Sequence, residues 1–257
     1  MIYDPKTYFL SQQHKVIKWW NPEQSPTSAI YKDGLLSAIN ILCKKLSKED
    51  LVLDAACGKG RVTIELSKTF RVIACDISKE MITFINSLTL PKVTTVLADV
   101  DNLPFSENTF DAIVCFEAFV HFLDIDKTLH EFYRVLKPNG MFIFNIDNSY
   151  GAIRILKESI NFFACIFDDE YRKERVARKE IYRTLSPLYI KKKIIASNFI
   201  YIKKYYTGLI LPFSLKHTVI LPEKLYSIFS PLDKMLLKIP FICSLGTYAF
   251  FVCKKPL

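Results

Sequence analysis

Between Leu51 and Ile146 short apolar runs alternate with amphipathic segments: LVLDAA then RVTIELSK, RVIACD then SKEMITFINSL, VTTVLAD then a loop, FDAIVCF then DKTLHEFYRVL, and last MFIFNI. Each run has the length of a strand, and most are apolar at nearly every position, which suits a sheet covered on both faces. The segments between them repeat apolar residues at helical spacing. Five strands joined in this way predict a doubly wound α/β domain. Lys137-Pro138-Asn139-Gly140 reads as a turn, because proline cannot continue the preceding helix and Asn-Gly tolerates positive φ.

The flanks are less regular. Residues 8–47 carry helical spacing broken by a Pro-rich stretch, Asn21 to Pro26, and predict an N-terminal helical lid. Tyr150 to Arg183 reads as a long helix or helix pair. Ser186-Pro187 then opens a helix through Ala196, with serine at the cap and proline in the first turn. Phe199 to Tyr206 and Thr247 to Lys254 read as strands, separated by a hydrophobic, Pro-punctuated insert over residues 209–245. Met235 to Cys253 approaches membrane-spanning length, but Lys238, Pro240 and Gly246 interrupt it, so it reads as a helix end, a turn and a strand. The expected organisation is one domain over residues 1–257, with a lid (1–48), a ligand-binding core (49–147) and a basic C-terminal part (148–257).

Composition excludes several alternatives. With 50% hydrophobic residues, 24% charged residues and only 7 glycines, the chain can bury a large core and is neither disordered nor collagen-like. Its seven cysteines (43, 57, 75, 115, 165, 243 and 253) form no CxxC pair, so they read as reduced buried residues and not as disulfides or a metal site. The opening MIYDPKTYFLSQQHKV lacks the basic start and apolar stretch of a secretory signal, so a cytoplasmic setting is expected. Residues 1–147 hold 16 Lys and Arg against 18 Asp and Glu, net −2, while residues 148–257 hold 19 against 8, net +11. That asymmetry makes an anionic partner of the second half plausible: a phosphorylated substrate, a nucleic acid or a membrane surface.

The run Val52 to Arg61, VLDAACGKGR, is a strand ending in Asp54 followed by a small-residue turn that opens a helix. Such a turn lets backbone N–H groups approach a ligand at the carboxyl end of the first strand. Asp76 ends the second strand 22 residues after Asp54, where a carboxylate can accept both ribose hydroxyls of an adenosine. Asp99-Val100 ends the third, where the acid can accept from an adenine amino group while valine packs on the ring. One strand-end Asp is usually a cap or turn former. Three in register describe an adenosine-shaped site. A nicotinamide dinucleotide fits less well, because its fingerprint needs a third glycine where this chain has Thr63.

VLDAACGKGR, VIACDIS, LADVDNLPFSENTFDAIVC and HEFYRVLKPNGMFIFN together resemble the successive motifs of class I S-adenosylmethionine-dependent methyltransferases, above all the small-molecule branch similar to the ubiquinone and menaquinone biosynthesis enzymes. The resemblance is dense over residues 50–147 and weaker at Leu185 to Tyr206 and Thr247 to Lys255. It implies a Rossmann-like, mostly parallel sheet of seven strands with the last antiparallel, and an insert between strands six and seven. It also implies S-adenosylmethionine as cofactor, with Asp54 meeting the methionine amino group, Gly58 and Gly60 letting the backbone pass, and Asp76 holding the ribose. Ile77 would flank the adenine, Asp99 and Val100 would bind its edge, and Phe116 would border the methionine side. The family's pattern has glycine at Ala56, and the added methyl narrows the turn at this cofactor-binding position.

Methyl transfer is an in-line displacement that needs an aligned, desolvated nucleophile more than acid–base power. For a hydroxyl acceptor, His121 in the loop after strand four is the best-placed proton acceptor, with Glu117 a weaker candidate; packing beside Phe119 and Phe122 is the competing reading of His121. His14, His130 and His217 have no supporting constellation. Trp19, Trp20, Tyr31, Phe213, Tyr226, Phe229 and Phe241 are many aromatics outside the main core and together favour an apolar or amphiphilic acceptor. The expected function is methylation of a small molecule, lipid-linked, prenylated or a sugar hydroxyl compound. RNA methylation is the catalytic alternative, against which stands the absence of an Asp/Asn-Pro-Pro-Tyr-like tetrad in FDAIVCFEAF; a non-catalytic nucleotide-binding or membrane-surface module is the other. The basic C-terminal lysines, Lys191 to Lys193, Lys203 and Lys204, beside the apolar insert suit a peripheral membrane contact or an anionic substrate.

Overall fold

The computed structural model describes residues 28–152, 154–155, 158–159, 185–209, 214–215, 218–219 and 223–257. Strands β1 (Leu51–Ala55), β2 (Arg71–Asp76), β3 (Val93–Leu97), β4 (Phe110–Cys115), β5 (Leu136–Asp147), β6 (Ile200–Thr207) and β7 (Tyr248–Lys254) form one sheet in the order β3-β2-β1-β4-β5-β7-β6. The first five strands run parallel, while β7 lies antiparallel between β5 and β6. The chain reverses its direction of travel across the sheet between β1 and β4, so the carboxyl ends of these neighbours flank the crevice where such sheets hold ligands.

The α-helices are α1 (Ser28–Cys43), α2 (Arg61–Ser67), α3 (Lys79–Ser87), α4 (Ile125–Val135), α5 (Pro187–Ala196) and α6 (Glu223–Leu236), and a small two-stranded pairing joins Ser214–Leu215 to Thr218–Val219. Strand alternation divides the apolar residues between the two faces. Phe142, Phe144 and Phe251 join Leu129, Phe132 and Ile190 of α4 and α5, whereas Ile143, Phe250 and Val114 join Leu35, Leu42, Val62 and Leu66 of α1 and α2. The helix expected within the lid therefore lies along the sheet, with Leu35, Ala38 and Leu42 buried, and brings its first turn, at Tyr31, to the cavity described below. At the far edge β6 exposes Lys203 and half-exposes Lys204, charges that discourage another strand from pairing there.

Local signals fare well. Asp124 and Ser186 cap α4 and α5 by accepting from the backbone N–H of Lys127 and Tyr189. The segment Lys137 to Gly140 departs from its expectation as a free turn: β5 begins at Leu136, and a register shift against β4 absorbs the irregularity. Asn139 takes φ 68°, and its N–H donates to the carbonyls of Lys255 and Pro256 at 3.1 and 3.2 Å, so pairing with the chain's end holds it in the sheet. Met235 to Cys253 forms the end of α6, a short 3₁₀ turn at Ile242–Leu245 and β7. Among the described residues no helix is long and apolar enough to cross a membrane. Most of the helix expected over Tyr150 to Arg183, and Trp19, Trp20, His14, Cys165, Phe213, His217 and the Tyr226 side chain, lie outside the described residues.

Candidate active site

A cavity of about 460 Å³ opens above the carboxyl ends of β1, β2, β4 and β5, within the range of small-ligand sites. Asp54, Ala56, Gly58, Asp76, Ile77, Asp99, Val100, Phe116 and His121 all line it. The expected residues thus converge on one space, with the exception of Gly60. That glycine stands at φ 78° as the N-cap of α2, and a Cβ there would come 3.0 Å from Ile85 Cγ1. Its lack of a Cβ leaves room for Ile85 of α3.

The end beneath β1 to β3 is built from acids and backbone amides. Asp76 accepts at Oδ2 from the Gly58 N–H, 2.8 Å, and at Oδ1 from the Ser78 N–H, 2.9 Å. Both oxygens are thereby fixed, with lone pairs left for a ligand. Burial pushes the Asp76 carboxyl above the usual range, and the Ser78 and Gly58 amides oppose that shift. Asp54 is buried and accepts from the Thr63 hydroxyl at 2.6 Å; desolvation drives it up to about 7 despite that bond. Thr63, in the sequence only a missing glycine, is thus the partner that orients Asp54. Asp99 is half-exposed at the rim and accepts from the Asp101 N–H at 3.0 Å.

The turn from Ala56 to Gly60 alternates left-handed residues: Ala56 at φ 56°, Gly58 at φ 52° and Gly60 at φ 78°. The family's glycine at Ala56 has its reason here, since a Cβ in this conformation costs roughly 1–2 kcal/mol. At Gly58 a Cβ would meet no atom within 4 Å, so this wall is open to the cavity. A fixed ribose-type carboxylate, a buried acid suited to an ammonium and an open glycine wall fit the expected nucleoside-bearing methyl donor.

The other end, above β4, β5 and β7, is walled by Phe116, Phe119, Val120, His121 and Phe122, with polar groups grouped at one side. Arg61 Nη2 lies 2.7 Å from Glu117 Oε2, and the Arg61 guanidinium stacks 3.3 Å from the centre of the Tyr31 ring. Glu117 sits at φ 57°, a left-handed conformation that a non-glycine residue adopts at a cost. Its N–H donates to Asn145 Oδ1 at 2.7 Å, which fixes the orientation of that amide. Asn145 is fully buried, and its Nδ2 has no hydrogen-bond partner among the described residues. Burial raises the Glu117 carboxyl, opposed chiefly by Arg61. Burial lowers His121 to about 4, so its imidazole is neutral at pH 7 and a weak proton acceptor. The participation of Arg61, Asn145 and Tyr248 is absent from the sequence reading. A usable signal was present for one of them: Asn145 is the polar residue in the apolar run MFIFNI, on the same strand face as Met141 and Ile143.

Residues 53–144 match a family described as "Methyltransferase domain". The protein MJ0638 of Methanocaldococcus jannaschii is 30% identical over 235 residues, covering 86% of this chain and 89% of that protein. The demethylmenaquinone methyltransferase of Symbiobacterium thermophilum is 36% identical over 103 residues, 37% of this chain and 41% of the enzyme. Among solved structures, magnesium protoporphyrin IX methyltransferase from Synechocystis, determined with bound S-adenosylhomocysteine, superposes with a TM-score of 0.65 at 14% identity, covering 97% of each chain.

Proposed function

The chain belongs to the class I S-adenosylmethionine-dependent methyltransferases and uses S-adenosylmethionine as its methyl donor; on that premise we propose that its acceptor is a small apolar or amphiphilic molecule. The observation carrying this reading is the continuity of the cavity. One space of about 460 Å³ joins the acids at the β1 to β3 ends to the aromatic wall at Phe116, Phe119 and Phe122. An acceptor against that wall would be desolvated and within reach of a group anchored at the other end.

In this reading S-adenosylmethionine supplies an electrophilic methyl group on its sulfonium. Asp54 receives the ammonium of its amino-acid tail, Asp76 accepts from the ribose hydroxyls, and Ile77, Asp99 and Val100 frame the adenine. Ala56 and Gly58 let the backbone approach, and Phe116 borders the tail. His121, neutral and packed into the wall, orients the acceptor by contact and hydrogen bonding instead of storing its proton. The test is calorimetric titration with S-adenosylhomocysteine, followed by transfer of labelled methyl groups into lipid, sugar, protein and RNA fractions of a cell extract. Label confined to protein or RNA would overturn the small-molecule reading.

A second observation favours delivery of the acceptor at a membrane surface. On α6 and the turn after it, Ile228, Leu232, Met235 and Ile239 recur at helical spacing and are exposed, next to Lys234 and Lys238, and Phe241 is 89% exposed. Basic residues beside exposed apolar side chains suit a peripheral contact with anionic lipid. Sedimentation with anionic vesicles that fades as salt rises is the expected outcome; no binding at low salt would exclude it.

A further inference from the structure

The polar groups at the acceptor end have a specific complementarity. Asn145 Oδ1 is used by the Glu117 N–H at 2.7 Å, so its remaining polar atom is a donor, Nδ2, buried without a partner among the described residues. A buried amide donor left without a partner costs about 1–3 kcal/mol, and the residue bearing it lines the cavity. Glu117, whose N–H meets that amide, lines the same cavity, and its carboxylate is an acceptor. Its side chain keeps 24% of its surface open while Arg61 holds one oxygen at 2.7 Å and Tyr248 also donates to the carboxylate, which has lone pairs left for a ligand. A donor next to an acceptor is the complement of a hydroxyl, which accepts through its oxygen and donates through its hydrogen.

We propose that Glu117 and Asn145 form a hydroxyl-binding subsite for an aromatic acceptor, with Glu117 as proton acceptor in methylation of a phenolic oxygen. The inference rests on the methyltransferase reading of the same cavity. An amine nitrogen has a single lone pair, which attack on the methyl carbon uses up, so the Asn145 donor would lose its acceptor as the bond forms, whereas a hydroxyl oxygen keeps a second lone pair for it. An alkanol is as weak an acid as water and a poor match, whereas a phenol at about 10 lies much closer to a carboxylate. The ring would lie among Phe116, Phe119, Tyr31 and Tyr248, all of which line the cavity. As the phenolic oxygen forms its bond to the methyl carbon, the carbon–sulfur bond breaks with its electron pair staying on sulfur, and the hydroxyl proton passes to Glu117 and from there to water. Asn145 Nδ2 donates to the oxygen throughout. Arg61 is a positioning residue: it holds the carboxylate and opposes the upward push of burial on it.

Charged and titratable groups face Glu117 from the neighbouring elements: Tyr31 on α1, Arg61 on α2, Asp147 at the end of β5, and Tyr248 on β7, which donates to the carboxylate. Burial raises the Glu117 carboxyl, so activity at saturating methyl donor is expected to fall on acidification as this group gains its proton.

The experiment offers labelled S-adenosylmethionine and phenol, 4-nitrophenol, catechol or 1-naphthol to the full chain, with cyclohexanol and aniline as counterparts. Aryl methyl ethers are expected, with little product from the counterparts. Glu117→Gln should lower that rate about 100-fold, the scale of general-base catalysis, while S-adenosylhomocysteine affinity changes less than about twofold. Glu117→Asp, which keeps the carboxylate, should recover part of the rate and the acidic limb of the pH profile, and Glu117→Gln should lack that limb. A purely structural role for the Arg61–Glu117 pair would lower melting temperature and leave the limb in place, overturning the proposal. So would S-adenosylhomocysteine binding without any aryl ether. Failure to bind S-adenosylhomocysteine would instead overturn the reading beneath it.

Discussion

At the donor end of the cavity Asp54, Asp76 and Asp99 stand at the ends of consecutive strands within 45 positions of sequence, and the amides and the Thr63 hydroxyl that hold them lie within 18 positions of them. At the acceptor end Tyr31, Arg61, Glu117, Asn145 and Tyr248 arrive from five separate parts of the chain spread over 217 positions. The first end needs only correct turns after correct strands. The second exists only if α1, α2, β4, β5 and β7 are packed together, so its chemistry depends on the register of the whole sheet. Stability and function are therefore coupled differently at the two ends. A local change at the donor end should alter affinity, and a change at the acceptor end should alter turnover.

The sharpest way to break that contrast is Asp76→Ala. The substitution removes two charge-assisted bonds to a ribose, each worth about 1.5–3 kcal/mol, and also frees the amides of Gly58 and Ser78. Affinity for S-adenosylhomocysteine should fall at least tenfold by calorimetry. An unchanged dissociation constant would remove Asp76 from the donor site and with it the division of labour between the ends.

Asp54 sharpens the comparison through pH. Its carboxyl is raised to about 7 by burial, against about 3.9 in an unfolded chain. The ligand-free protein should therefore hold this group's contribution to stability fully below about pH 4 and lose it as pH rises through about 7. Ligand binding has the opposite trend, because an ammonium needs the ionised acid. Affinity for S-adenosylhomocysteine should be about tenfold weaker at pH 6 than on the alkaline plateau, the cost of ionising a group of pKa about 7. Asp54→Asn should flatten both profiles; a flat wild-type binding profile between pH 6 and 8 would contradict the assignment.

The smallest expected effect belongs to His121. With its imidazole lowered to about 4, it is neutral near pH 7 and too weak a base to take a hydroxyl proton efficiently, and His121→Ala should reduce turnover by only a few-fold. A loss of 100-fold or more with unchanged S-adenosylhomocysteine affinity would return the role of base to His121 and displace Glu117.

The division between these two ends is also the division between what could and could not be read in advance. Strand periodicity, the small-residue turn and an acid closing each of three strands are local properties, so the β1 to β3 half and its ligand class follow from the order of residues. At Gly60 positive φ marks a turn, but only the packing of Ile85 shows what its missing Cβ makes room for.

The sequence by itself determined the layered α/β architecture, the caps of α4 and α5 and the three acids, because each depends on neighbours within a few residues. Tertiary structure alone decided that β7 inserts between β5 and β6, which carries Tyr248 to the cavity, and that Arg61 reaches Glu117 across 56 positions. It also decided the direction in which Asp54, Glu117 and His121 shift, upward for the two acids and downward for the imidazole, since desolvation is summed over every element that surrounds a group. Alternation along β5 tells which face Asn145 occupies; only the packed sheet tells that Glu117 takes its oxygen and leaves its amide hydrogens without a partner among the described residues.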